Sequence, residues 1–401
     1  MALVAIAEAL ERLLHGAVPL PGESVPLAEA MDRVLAEPIL ALRTQPPFDA
    51  SAMDGYAVRA ADIARLPASL SVIGEAPAGR CFDGSVGPGQ AVRIFTGAPL
   101  PAGADTVVIQ ENTRDAGNGG VEIVEATATG ANIRKAGLDF TEGELLLEKG
   151  RLLDPAALAL VASANHTHPV VVRRPLVAMI ATGDELRAPG SELRPGQIIS
   201  SNAYGVAAVA HSIGARTLDL GIAADTSEAI AGCIRQAVAA GADVLVTLGG
   251  ASVGDHDLVH EVLTGEGMTL DFWKVAMRPG KPLMSGRLGE MHCLGLPGNP
   301  VASLLCSQLF LKPLLARLGG RAHRPDMREA HLGAAMAAND LRQDYVRASV
   351  REKDGRLVAT PFGVQDSSML RRIADAEGLI VREPFAPAAQ AGAACRVLML
   401  R

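Results

Sequence analysis

The chain has 401 residues, 49% of them hydrophobic, 20% charged and only 3% aromatic, with a formal net charge of −7. That length predicts two to four domains with ample apolar material for their cores. The acidic balance excludes a nucleic-acid scaffold, and the scarcity of aromatics excludes a stacking platform for single strands.

Taken in chain order, the opening MALVAIAEALERLL has no basic region, and Glu8 and Glu11 interrupt its apolar run, so no signal peptide is expected. Leu3, Ile6, Leu10, Leu13 and Leu14 recur at helical spacing and predict an amphipathic helix. The first ~45 residues read as helices broken at PLPGES. From Pro46 to about Asp139, short β-type runs (SLSVIG, QAVRIF, DTVVIQ, VEIVEA) alternate with Gly/Pro turns, which predicts a small β domain or barrel. Asp154-Pro155 then opens a helix, with Asp as N-cap and Pro at the first helical position. From Pro175 strands alternate with helices: LVAMIA, a helix capped by Ser201-Asn202, TLDLGIAA, a helix capped by Thr226, ADVLVTL, a further helix and CLGL. That alternation predicts a parallel, doubly wound sheet. After VASLLCSQLFLKPLLARL, the basic linker GGRAHRP leads to short strands (YVRASV, RLVATPF, GLIVRE, CRVLML) that predict a C-terminal β domain. No run of about eighteen uncharged apolar residues occurs, so no membrane span is expected. Five scattered cysteines without a CxxC pair fit a reducing compartment, and a cytoplasmic protein is expected.

The richest segment is ADVLVTLGGASVGDHD (242–257). An apolar strand breaks into Gly249-Gly250, then continues through Ser252, Gly254, Asp255 and Asp257. Glycines let backbone N–H groups approach an anion, and ligands of open α/β sheets bind at the carboxyl ends of strands. Carboxylates beside such a turn suit a bridging divalent cation, although an ordinary βα loop with capping acids explains the same residues. Thr182-Gly-Asp184-Glu185 ends another strand of this sheet and is placed to hold Mg²⁺. Met277-Arg-Pro-Gly-Lys-Pro282 aims Arg278 and Lys281 from a rigid turn, with Lys274 just upstream. Pro297-Gly-Asn299-Pro300 precedes a long helix, with Asn299 as N-cap, so that the helix start offers N–H groups to a phosphate or oxyanion. Gly250-Ala-Ser252-Val-Gly254 matches the GxSxG nucleophile elbow, but carboxylates follow within the loop and His292 adjoins a strand, which disfavours a hydrolase triad. A Walker A sequence is absent, since Pro282 follows Gly280-Lys281.

FDASAMDGYAV (48–58), RIFTGAPLPAGADTVVIQE (93–111), NIRKAGLDF (132–140), ATGDEL (181–186), GQIISSN (196–202), VTLGGASVGDHD (246–257), WKVAMRPGKP (273–282) and GLPGNPVAS (295–303) occur in that order. The chain thereby resembles the MoeA family of molybdopterin molybdenumtransferases, related to the C-terminal domain of gephyrin. The resemblance covers essentially the whole chain. It implies a multidomain α/β plus β fold: an elongated helical domain from 1–45 and 140–174, an inserted β domain at 46–139, a doubly wound molybdopterin-binding α/β domain at 175–321 and a small β barrel at 322–401. It also implies insertion of molybdate into adenylylated molybdopterin with release of AMP, dependence on Mg²⁺, and a homodimer with a shared active site. A molybdopterin adenylyltransferase and molybdoenzyme-maturation proteins are the implied partners. On this resemblance Asp184, Glu185 and Asp257 serve the metal, and Asp225 contacts the pterin. Gly249, Gly250, Ser252 and Gly254 cradle phosphate with Pro297, Asn299 and Pro300. Glu185, Lys274, Arg278 and Lys281 act on molybdate or the terminal phosphate. Asp54, Thr96, Arg134 and Asp139 close the site from the opposing subunit. Departures are modest: Arg278 stands where many relatives carry Lys, Ala251 where Val is common, and Leu138 where a polar residue is usual. Two rival readings are a non-catalytic scaffold and an enzyme that adenylylates molybdopterin itself.

Overall fold

The computed structural model describes residues 3–249 and 258–400. The chain divides into two compact units, Met1–Glu23 with Val172–Arg401, and Ser24–Val171.

The first unit is organised by a six-stranded sheet in the order Arg216–Ala223, Leu176–Thr182, Val244–Leu248, Met291–Leu296, Met284–Leu288, Thr269–Trp273. The first four run parallel and the last two complete an antiparallel edge. Side chains alternate between faces. Val177, Met179, Val244, Val246 and Leu294 meet the helices Asn202–Ser212, Pro300–Cys306 and Ile6–Leu14 on one side. Ala178, Ile180, Leu245 and Cys293 meet Ser227–Ala239 and Leu258–Gly265 on the other. Both faces of the central strands Leu176–Thr182, Val244–Leu248 and Met291–Leu296 are therefore dry, which is why these read as continuous apolar runs. Pro313 has no N–H to donate, and the long core helix passes through a π turn at Ser307–Leu311 before continuing as Lys312–Leu318. Pro300–Leu318 is long and apolar enough to cross a membrane, but 67% of that stretch is buried inside the protein.

Met327–Leu332, Gln343–Lys353, Arg356–Pro361, Gly378–Arg382 and Ala394–Met399 close into a five-stranded barrel, each strand paired on both sides. Closure removes free sheet edges. The first of these strands, MREAHL, carries no clean alternation and escapes sequence reading. Tyr345, Leu379 and Leu398 of the barrel join the same core as the α/β sheet.

The second unit carries a six-stranded sheet in the order Thr106–Ile109, Gly55–Val58, Gln90–Ile94, Ala68–Ala76, Gly120–Ile123, Thr113–Gly117. Its helix Pro155–Ser163 starts as expected, with Asp154 Oδ1 accepting the Ala157 N–H at 2.8 Å. The expectation of helices across the first ~45 residues needs correction. Among the described residues there, only Ile6–Leu14 is α-helical; a 3₁₀ turn at Leu27–Glu29 and short strands at Gly22–Ser24 and Ile39–Leu40 follow. Pro19, Pro21, Pro26 and Pro38 remove the amide donors that helices need.

His292 is only 3% exposed within its strand, and burial, reinforced by the Arg287 charge, pushes its pKa down to about 4. An unfolded histidine titrates near 6.5, so between those values the unfolded chain binds a proton that the native state refuses. The neutral ring's contribution is complete above pH 6.5 and is lost as pH falls towards 4, by on the order of 3 kcal/mol. We expect the fall in thermal midpoint between pH 7 and pH 4.5 to be smaller in His292→Gln than in the wild type; equal falls would contradict this assignment.

Candidate active site

The carboxyl ends of Leu176–Thr182, Val244–Leu248 and Met291–Leu296 open onto a cleft of about 580 Å³. Its floor is Thr182, Leu248 and Gly249, one wall is Ser200, Ser201 and Asn202, and the other is Pro297–Pro300. Gly249 has φ +95°, and a Cβ there would lie 2.8 Å from the Thr182 carbonyl oxygen, so the strand can turn at this point only through glycine. Thr182 is 5% exposed, and its Oγ1 has no hydrogen-bond partner among the described residues. A buried hydroxyl without a partner costs free energy, and Thr182 as a residue lines the cleft.

The walls are tied together. Asn202 Nδ2 donates to the Gly298 carbonyl at 2.7 Å. Asn299 occupies the N-cap position but makes no side-chain cap bond, which corrects the sequence expectation. Its Nδ2 donates instead to Ser367 Oγ at 3.0 Å, and the Val301 N–H donates to the Ser367 carbonyl at 3.1 Å. One donor expected to serve an anion is thus already used by a loop from the barrel.

Asp184 and Asp225 clasp each other's loops. The Asp184 N–H donates to Asp225 Oδ2 and the Asp225 N–H to Asp184 Oδ1, both at 3.3 Å. Asp184, Glu185 and Asp225 are exposed, and Glu185 lines the cleft. Among the described residues no three His, Cys, Asp or Glu side chains gather into a metal-binding group. Gly250, Ser252, Gly254, Asp255 and Asp257 lie outside the described residues.

The three cations do not line the cleft itself. Lys274 has φ +96° and is held by its own N–H to Leu283 O and by Val4 N–H to its carbonyl, both 3.1 Å. Its Nζ sits 5.8 Å from the Trp273 ring centroid. Arg278 turns to the barrel, where its guanidinium pairs with Asp344, with Asp340 at 3.2 Å and with Asn339 Oδ1 at 3.2 Å. No local pattern marks this engagement, because its partners lie some sixty residues downstream. Lys281 is half-buried with no side-chain partner among the described residues, and its neighbour Pro282 lines the cleft.

Asp54, Thr96, Arg134 and Asp139 belong to the other unit. Asp54 Oδ1 accepts from the Thr96 N–H at 2.7 Å and from Thr96 Oγ1 at 2.8 Å. The Thr96 backbone bond, then its hydroxyl, hold the Asp54 carboxyl below the usual carboxylate range. Gly97 N–H to Ser51 O and Ala52 N–H to Asn132 O, each 2.8 Å, knit the loops of Asp54, Thr96 and Arg134 together. Arg134 and Asp139 are exposed.

Sequence reasoning missed Ser200, the Thr182 hydroxyl and Ser368 as cleft residues. The first two sit inside quoted motifs and were findable. Ser368 enters from a barrel loop with no local pattern to mark it.

The doubly wound α/β unit with a polar cleft at its strand ends and the closed barrel are parts of a multidomain enzyme of molybdenum cofactor biosynthesis. Residues 4–165 match the MoeA N-terminal region (domains I and II), 178–317 a probable molybdopterin binding domain, and 329–400 the MoeA C-terminal region (domain IV). The chain belongs to the MoeA family. It is 36% identical over 406 residues to the molybdopterin molybdenumtransferase of Bacillus subtilis, covering 99% of this chain and 94% of that protein. It is 39% identical over 342 residues to that of a Nostoc species, covering 83% and 78%. The crystal structure of the molybdopterin biosynthesis MoeA protein from Pyrococcus horikosii superposes with a TM-score of 0.86 at 31% identity, covering 100% of both chains.

Thr182→Val keeps the side-chain shape and deletes the unpartnered hydroxyl. It is expected to raise stability by about 1 kcal/mol, seen as a higher thermal midpoint, and to weaken pyrophosphate binding about fivefold by calorimetry. Unchanged pyrophosphate affinity would show that the hydroxyl does not face the ligand.

Proposed function

We propose that this protein is a molybdopterin molybdenumtransferase that inserts molybdate into adenylylated molybdopterin and releases AMP, forming molybdenum cofactor. The observation that carries the reading is the strand-end cleft, with its buried Thr182 hydroxyl and its Glu185 carboxylate, in the region matching a molybdopterin binding domain. Thr182 and the backbone at Gly249 bind substrate phosphate at the floor. The Asp184–Asp225 clasp holds two carboxylates in fixed loops at the strand ends. Mg²⁺ prefers one or two carboxylates together with substrate phosphates, a donor set that Asp184 and Glu185 fit. When bound, it neutralises phosphate charge and polarises the bond to the leaving AMP. Lys274 and Lys281 offer positive charge to molybdate or the terminal phosphate. Arg278, already paired with two carboxylates, is assigned to fixing that loop against the barrel.

The working form is proposed to be a cytoplasmic homodimer, with Asp54, Thr96, Arg134 and Asp139 of one copy serving the other. A molybdopterin adenylyltransferase supplies the substrate, and molybdoenzyme-maturation proteins take the product.

Purified protein with Mg²⁺, molybdate and adenylylated molybdopterin is expected to release AMP stoichiometrically with active cofactor, and chelation by EDTA to stop release. Asp184→Ala and Glu185→Ala are expected to lower kcat/KM by about a hundredfold. No AMP from wild-type protein under these conditions rejects the reading, and AMP formed from ATP and free molybdopterin replaces it with adenylylation.

A further inference from the structure

A second pocket, of about 190 Å³, adjoins the cleft and shares Ala181 and Ser200 with it. Tyr204, Asp219, Ile222 and Pro189 complete its walls. We propose that it seats the pterin ring of the substrate, with Tyr204 as the stacking face and Asp219 as the acceptor of the ring's N3–H and 2-amino group. This rests on reading the neighbouring cleft as the site for adenylylated molybdopterin.

Three independent features converge here. The first is apolar exposure: Tyr204 is 62% exposed, and Ile222 is 38% exposed beside it, on a chain with only three tyrosines. Exposed apolar side chains concentrated at a pocket mark a ligand surface, and a tyrosine in the first turn of Asn202–Ser212 is held on a rigid element. The second is the backbone of the edge strand. Asp219 pairs with Met179, but the next pairing is Ile222 with Ala181, so two residues stand opposite one and the strand bulges. Gly221, at φ +81°, makes the bulge, and its N–H donates to Asp219 Oδ1 at 2.9 Å. That bond fixes the carboxylate while leaving lone pairs on both oxygens. The third is chemical selection. A pterin presents two adjacent donors along one edge, which a carboxylate accepts in parallel. Adenine presents an amino donor next to a ring-nitrogen acceptor, which a carboxylate repels. The pocket is also sized for one ring system, and the larger cleft is left for the phosphates.

The test uses full-length protein and the variants Asp219→Asn, Tyr204→Ala and Tyr204→Phe. KM for adenylylated molybdopterin is expected to rise about tenfold in the first two, with kcat and the inhibition constant of AMP unchanged and Tyr204→Phe near wild type. In parallel, 6-hydroxymethylpterin is titrated by its own fluorescence, which reads the pocket even without turnover. Quenching that is lost in Asp219→Asn and Tyr204→Ala supports the proposal. Equal pterin binding in all four proteins, or AMP inhibition weakening in step with KM, overturns it. Absence of AMP release by wild-type protein that still binds pterin overturns the transferase reading alone.

Discussion

Strands covered by helices on both faces have no side chain free to meet a ligand along their length. The buried alternation of Val177, Met179 and Ala181 against Ala178 and Ile180 consumes every position of the central strand. Chemistry is pushed to where the sheet stops, and the polar groups concentrate there: Thr182, the Asp184–Asp225 clasp, and the backbone after Leu248. The Gly249 turn depends on the same constraint. Two parallel strands end side by side, and only a residue without a Cβ can bend one away from the Thr182 carbonyl.

Much of this was legible because burial writes itself into composition. The runs LVAMIA, ADVLVTL and CLGL announce doubly covered strands, and the Asp154-Pro155 and Thr226 starts announce helices that the caps then confirm. Glu185, Gly249 and Pro297–Pro300, singled out from motifs at strand ends, line one cleft. What stayed hidden is non-local. Asn299 looks like a helix cap until a barrel loop supplies Ser367, and Arg278 looks like a free anion binder until Asp340 and Asp344 arrive beside it. Neither partner is within reach of a sequence window. The segment after Gly16 failed for a different reason, since apolar residues suggest helix there while prolines deny it the donors.

The cationic loop illustrates how such distant partners shape a site. Val4 lies beside Val275 as a parallel bridge, receives the Ala276 N–H at 2.8 Å, and donates to Lys274. Val4 therefore holds the backbone at Lys274 and Ala276 through an isolated bridge. On the other flank, Arg278 is 46% exposed, so each of its ion pairs is individually weak, but three acceptors on one planar fork fix its direction. Lys274 and Arg278 are both tied down, whereas Lys281, three residues beyond Arg278, has no side-chain partner among the described residues.

Stability and function pull against each other most plainly at Thr182. Valine would satisfy the same space without a stranded hydroxyl, and the strand's other residues show that this fold readily uses valine, as at Val177. Among the described residues nothing pairs the hydroxyl of this threonine, which is 5% exposed, so keeping it there costs folding free energy. Asp184 and Asp225 follow the opposite logic. Each already satisfies the other's backbone while remaining exposed, and each carboxylate keeps lone pairs free of that bond. A buried hydroxyl at the floor and exposed acids at the rim are the two halves of the site proposed above for a phosphate and its counter-ion.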